Sequence, residues 1–180
     1  MNPIPIRRQP NSRTISTSRL RSQGGSVIIE TAITLMPLLA FVFATFDVAM
    51  AVTMQNTIQF AVRQGVRYAI TSQVMSGFGH DASIKSTVIT NTMGMMPYLF
   101  PAGGSTDANT YITITYYNPT TLAAVTGLNS NQGGNICKIS LSGLRYSWMG
   151  PLMRGAGSLN MSAASSDVME ASINGQPPAR

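Results

Sequence analysis

Residues 22–46 read Ser-Gln-Gly-Gly-Ser-Val-Ile-Ile-Glu-Thr-Ala-Ile-Thr-Leu-Met-Pro-Leu-Leu-Ala-Phe-Val-Phe-Ala-Thr-Phe, and their reading decides the fold. Two glycines lead into an apolar run that carries one acid, Glu30, five positions after Gly25. From Ser26 to Met54 the only charges are Glu30 and Asp47, and the sixteen residues between them are uncharged. A bilayer core takes about 20 helical residues at roughly 1.5 Å each. The two acids lie ~25 Å apart along a helix, which predicts a transmembrane helix with an acid near each interface. Pro37 falls inside this span and removes the amide bond to the Ile33 carbonyl. It reads either as a proline that a membrane helix simply tolerates or as a point where the helix bends or stretches locally.

Upstream, residues 1–25 hold five of the twelve basic residues (Arg7, Arg8, Arg13, Arg19 and Arg21) and no acid. This segment is rich in Arg, Ser, Asn and Pro and has no apolar periodicity, which predicts a basic, disordered leader. Basic residues beside a span hold that end in the cytoplasm. Without the leader, seven basic residues face six acidic ones. The net charge of +6 therefore belongs to the insertion signal. It does not mark a nucleic-acid surface, because the remainder has no basic cluster with interleaved aromatics.

Beyond Met54 the helical spacing continues in amphipathic form. Met54, Ile58, Ala61, Gly65 and Tyr68 to Ala69 share one side, while Gln55, Gln59, Arg63 and Arg67 line another. A stripe of this kind, leaving a membrane span directly, extends the same helix into water. The expected organisation is a leader at 1–25, a transmembrane helix at 26–54, its periplasmic continuation at 55–72, and a small α+β domain at 73–180 with a polar C-terminal tail. Within that domain Asp81 to Thr92 reads as a second helix with Asp81 as N-cap, ending near Gly94. Thr110 to Tyr117, Ile136 to Trp148 (with Gly143 as a bulge) and Leu159 to Met169 read as strands. The fold class is thus α+β, a long helix packed on a small antiparallel sheet of three strands.

Catalytic chemistry finds little support. His80 is the single histidine and reads as a solvated loop residue, and Cys137 is the single cysteine and reads as a buried strand hydrophobe. One His and one Cys supply no metal-ligand set. There is no nucleophile elbow and no phosphate-binding glycine loop. No enzyme activity, cofactor, metal, nucleic acid or small-molecule substrate is expected. Glu30 differs, because an ionised carboxylate in an apolar span calls for a partner. The nearest cation would be an α-amino group created at Ser26 by cleavage after Gly25, in the same chain or a neighbouring copy.

Gly25, Glu30, the run Met36-Pro37-Leu38-Leu39, and the stretch from Ala61 to Ala69 containing Arg63, Gly65, Arg67 and Tyr68 resemble the TadE-like pseudopilins of bacterial tight-adherence (Tad, or Flp) pili. The resemblance implies a minor pilin-like subunit in the inner membrane, with its amino terminus cytoplasmic and its bulk periplasmic. It also implies leader removal by prepilin peptidase between Gly25 and Ser26, methylation of Ser26, and pairing of Glu30 with an amine. Its partners would be membrane lipid, the peptidase and other pilin and pseudopilin subunits, in a cell-surface pilus that adheres. Thr31 stands where major Flp pilins carry a tyrosine after the glutamate, and those pilins are much shorter. The competing class is a secreted or anchored binding protein, with ordinary signal-peptidase cleavage after Ala49-Met50-Ala51.

Overall fold

The computed structural model describes residues 23–150, 154–172 and 175–180. The leader assigned to 1–25 thus lies outside the described residues except for its last three positions. The chain divides between Phe41 and Val42 into two compact units.

A single helix, α1 (Gln23–Ile70), passes through Pro37 and continues to the end of the family-like stretch. Its 18-residue apolar window has a mean hydropathy of 2.2, and none of that window is buried. The apolar side chains here are largely exposed: Ile28 is 71% exposed and Ile33 68%. The hydroxyls of Thr31 and Thr34 donate to the Val27 and Glu30 carbonyls one turn back, at 2.8 and 2.9 Å. That local bonding lets a polar side chain sit in hydrocarbon without water. The helix ends where Ser72 takes a positive φ of 53° and donates to the Ala69 carbonyl.

In the second unit α1 changes environment. Ala51, Met54, Ile58, Ala61, Val62, Val66 and Ala69 are buried in one core with Ile84 and Val88 of α2 (His80–Asn91). The remaining walls of that core come from a four-stranded antiparallel sheet. Its strands are β1 (Ile112–Tyr117), β2 (Ala124–Val125), β3 (Ile136–Ser147) and β4 (Ser158–Val168), in the order β2-β1-β3-β4. The α+β class and the antiparallel arrangement stand, with four strands in place of three. The added strand, β2, pairs with only Tyr116 and Tyr117. It is brought back by Asn118, whose side-chain oxygen accepts from the Thr120 and Thr121 amides. Two residues are too few to show periodicity.

Gly143 does act as a bulge. In β3, Cys137, Ile139 and Leu141 face the core, and simple alternation would next bury 143 and 145. The register shift between Leu141 and Leu144, with Gly143 at φ 81°, turns Leu144 and Tyr146 inward instead.

Two assignments in α2 need correction. Gly79, not Asp81, is its N-cap, and Asp81 lies in the first turn. The Asp81 carboxylate is drawn away from a capping role by the Tyr116 hydroxyl at 2.8 Å and by Arg180. His80 is fully buried, not solvated. Its amide donates to the Ala179 carbonyl at 2.7 Å. Cys137 is a free, buried thiol in β3, and burial pushes its pKa up to about 12, beyond reactive use at neutral pH.

Candidate functional site

The residues assigned to processing and pairing sit together at the start of α1. Gly25 and Ser26 are exposed, and Glu30 follows Ser26 by one helical turn on the same exposed segment. A side chain added at Gly25 would meet nothing within 4 Å. Packing therefore gives no reason for glycine at this position. Among the described residues Glu30 makes no ion pair.

The stretch Arg63, Gly65, Arg67, Tyr68 lies some nine turns further along and is divided between two faces. Gly65 is buried where α2 crosses the helix. A Cβ here would overlap the Val88 Cγ2 methyl and lie 3.3 Å from Ile139 Cδ1. The glycine is what lets the two helices and β3 meet at one point. Tyr68 is half-buried against the same core. Arg63 and Arg67 point outward with Thr53, Asn56 and Phe60, at the three- and four-residue spacing of one helix face. Phe60 remains 41% exposed on that face. The structure thus keeps the two arginines apart from the glycine and gives the stretch a buried and an open side.

Asp47 is the residue that sequence reasoning missed. It is buried, with only 4% exposure. Its Oδ2 accepts the Gly150 amide at 2.7 Å, and its Oδ1 accepts the Met149 amide at 3.1 Å. A side chain on Gly150 would put its Cβ 2.6 Å from Oδ2. Burial raises the pKa of the neighbouring Tyr146 phenol, and the Asp47 charge and hydrogen bond add to the rise. Trp148 packs edge-on against Tyr146 with ring centroids 5.5 Å apart, over the end of β3. Asp47 is therefore the clasp that ties the end of β3 to α1. The signal was present in the helical stripe: stepping back from Met54 by three and then four reaches Ala51 and Asp47 on the same face.

An apolar helix with an open amino half is compatible with a single-pass membrane anchor, and its second half carries an α+β domain. Residues 25–67 match the family model described as TadE-like protein. The match begins at Gly25, where the resemblance drawn from the sequence begins, and ends at Arg67, within the stretch from Ala61 to Ala69 quoted for it. No curated protein and no solved structure matches the chain.

Proposed function

We propose that this chain is a pilin-like structural subunit of a Tad pilus assembly, set in the inner membrane and acting through helix packing and not through catalysis. The observation that carries the reading is the TadE-like match over residues 25–67, which frames an apolar helix whose first half is left bare. Prepilin peptidase removes the leader between Gly25 and Ser26, and the new amine on Ser26 is methylated. A glycine exposed at 25 with no packing role suits recognition by a protease. The amine pairs with Glu30 of the same or a neighbouring chain as copies enter the pilus or its basal complex. Membrane lipid and other pilins are its partners, and adhesion follows from the pilus.

Within the 26–54 read from the sequence, the part assigned to the bilayer core is Ser26 to Phe46, because Asp47, Ala51 and Met54 are buried against the domain while Val48 and Val52 stay exposed. Twenty-one residues make ~31 Å of helix, the thickness of a bilayer core. Pro37 lies near its middle, where a lost backbone bond lets the helix bend as it leaves lipid. Release by signal peptidase after Ala51 fits poorly. It would remove Asp47 and leave the Met149 and Gly150 amides without their acceptor.

The test is Glu30→Ala. This variant is expected to insert and lose its leader normally, but its cross-links to pilin partners in intact membranes should fall by at least about tenfold. That factor corresponds to ~1.4 kcal/mol of lost coupling, within reach of one charge pair at low dielectric. Undiminished cross-linking would remove the role given to the carboxylate.

A further inference from the structure

Arg63 and Arg67 do little for the fold of their own chain. Both are exposed, and among the described residues neither makes an ion pair. They stand four apart on one helix, where like charges weaken the helix by a few tenths of a kcal/mol. Arg67, in the last turn, gains something from the helix dipole; Arg63, nearly two turns from the end, does not. A merely solvated face would set acids beside them. α1 carries no acid after Asp47.

The two arginines close an open stripe. Thr53, Asn56, Phe60, Arg63 and Arg67 step by three, four, three and four residues, and every member is exposed. That 3.5-residue repeat is the seam along which a second helix packs. Exposure alone would not call for a partner, but this face also holds the bare ring of Phe60. Beside Asn56 opens a groove walled by Val48, Val52, Trp148 and Leu159. The stripe thus offers apolar surface nearer the bilayer and two unpaired cations beyond it. The TadE-like match runs twenty-one residues past Phe46 and stops at Arg67, further than an anchor alone requires.

Charge decides what covers this face. Copies anchored in one membrane lie parallel. In register, their arginines would meet each other; shifted, they would still meet no acid above Asp47. The helical acids of this chain are Glu30, Asp47 and Asp81. Glu30 falls in the bilayer segment, Asp47 is buried on the Met149 and Gly150 amides, and Asp81 holds Arg180. A second copy therefore has no helix to offer. Lipid is also out of reach: Arg63 lies seventeen residues beyond Phe46, or ~25 Å of helix, whereas headgroups extend roughly 5–8 Å past the hydrocarbon.

We propose that the outward face of α1 from Thr53 to Arg67 docks an acidic helix of a different protein. That helix sets carboxylates three or four residues apart against Arg63 and Arg67, and apolar side chains against Phe60 and the groove at Val52. The inference deepens the subunit reading and rests on it for the parallel membrane setting.

The test places photo-reactive benzoylphenylalanine at Phe60 of the full chain, irradiates native membranes and identifies the joined peptide by mass spectrometry. The expected product is a segment of a different chain with two carboxylates three or four residues apart. Arg63→Glu with Arg67→Glu should cut its yield at least tenfold, while unfolding in denaturant stays as in the parent. Changing those two carboxylates to arginine should then restore most of the yield. A product with a second copy or with lipid, or no product, would overturn the proposal. So would a yield that the charge reversal leaves untouched or that the reciprocal change fails to restore. Amino-terminal sequencing and the Glu30-dependent cross-links, read on the same membranes, separate the two readings. If the chain begins at Ser26 and those cross-links persist, a missing product at position 60 sinks this face and leaves the subunit reading standing.

Discussion

Gly65→Val is expected to lose ~3 kcal/mol or more of stability, a large share of the 5–15 kcal/mol typical of a native domain. The helix position is fully enclosed: α2 presents Val88 on one side and β3 presents Ile139 on the other. Valine at 88 is stiff at χ1, so its methyl cannot swing clear without moving α2. Alanine is the instructive comparison. It would gain up to ~1 kcal/mol in helix propensity and lose ~1–3 kcal/mol to overpacking, leaving a small net loss. Pairing Gly65→Ala with Val88→Ala removes the overlap and should recover part of that loss, limited by the cavity left at 88. Denaturant unfolding in micelles, followed by the single tryptophan Trp148, measures all three. A Gly65→Val protein as stable as the parent would mean that α2 does not cross the helix at this point.

The second large effect is expected for Asp47→Ala. The substitution leaves the Met149 and Gly150 amides without an acceptor at the end of β3. An unmet buried donor costs ~1–3 kcal/mol, so a loss of ~2–4 kcal/mol is expected. Asp47→Asn keeps one carbonyl acceptor for Gly150 but turns an NH2 toward the second amide, and should fall between. Hydrogen exchange at Met149 and Gly150 is the direct readout. Both amides should exchange much faster in Asp47→Ala, while Ile139 and Leu141 in the middle of β3 change less. If Asp47 were only a solvated acid at the membrane surface, exchange at 149 and 150 would not move.

These two residues mark the line between what the sequence made legible and what it did not. The long helix, its apolar and amphipathic halves, and the three long strands were readable because each repeats its period several times. Gly143 was readable because one glycine interrupts a strict alternation. Asp47 was legible as the acid that closes the apolar run, but its burial was not read, although its place on the Met54–Ile58 stripe pointed to the core. His80 was misjudged for a related reason. Nothing local marks a histidine as buried when the groups around it, Tyr116, Asn131 and Ala179, come from far along the chain. The partners of Arg180 were likewise invisible, since they lie at 81, 116, 127 and 130. Gly25, Ser26 and Glu30 are the opposite case. Their assignment comes from spacing and resemblance, and the helix that carries them simply presents them.

The central claim is that proteolysis creates the working amino end of this subunit one helical turn from Glu30. Intact mass and amino-terminal sequencing of the protein purified from its native membrane test it most directly. A chain that begins at Ser26, with or without a methyl group, is the result the account predicts. A chain that still begins at Met1, or that begins at Val52 with the apolar helix gone, would contradict it.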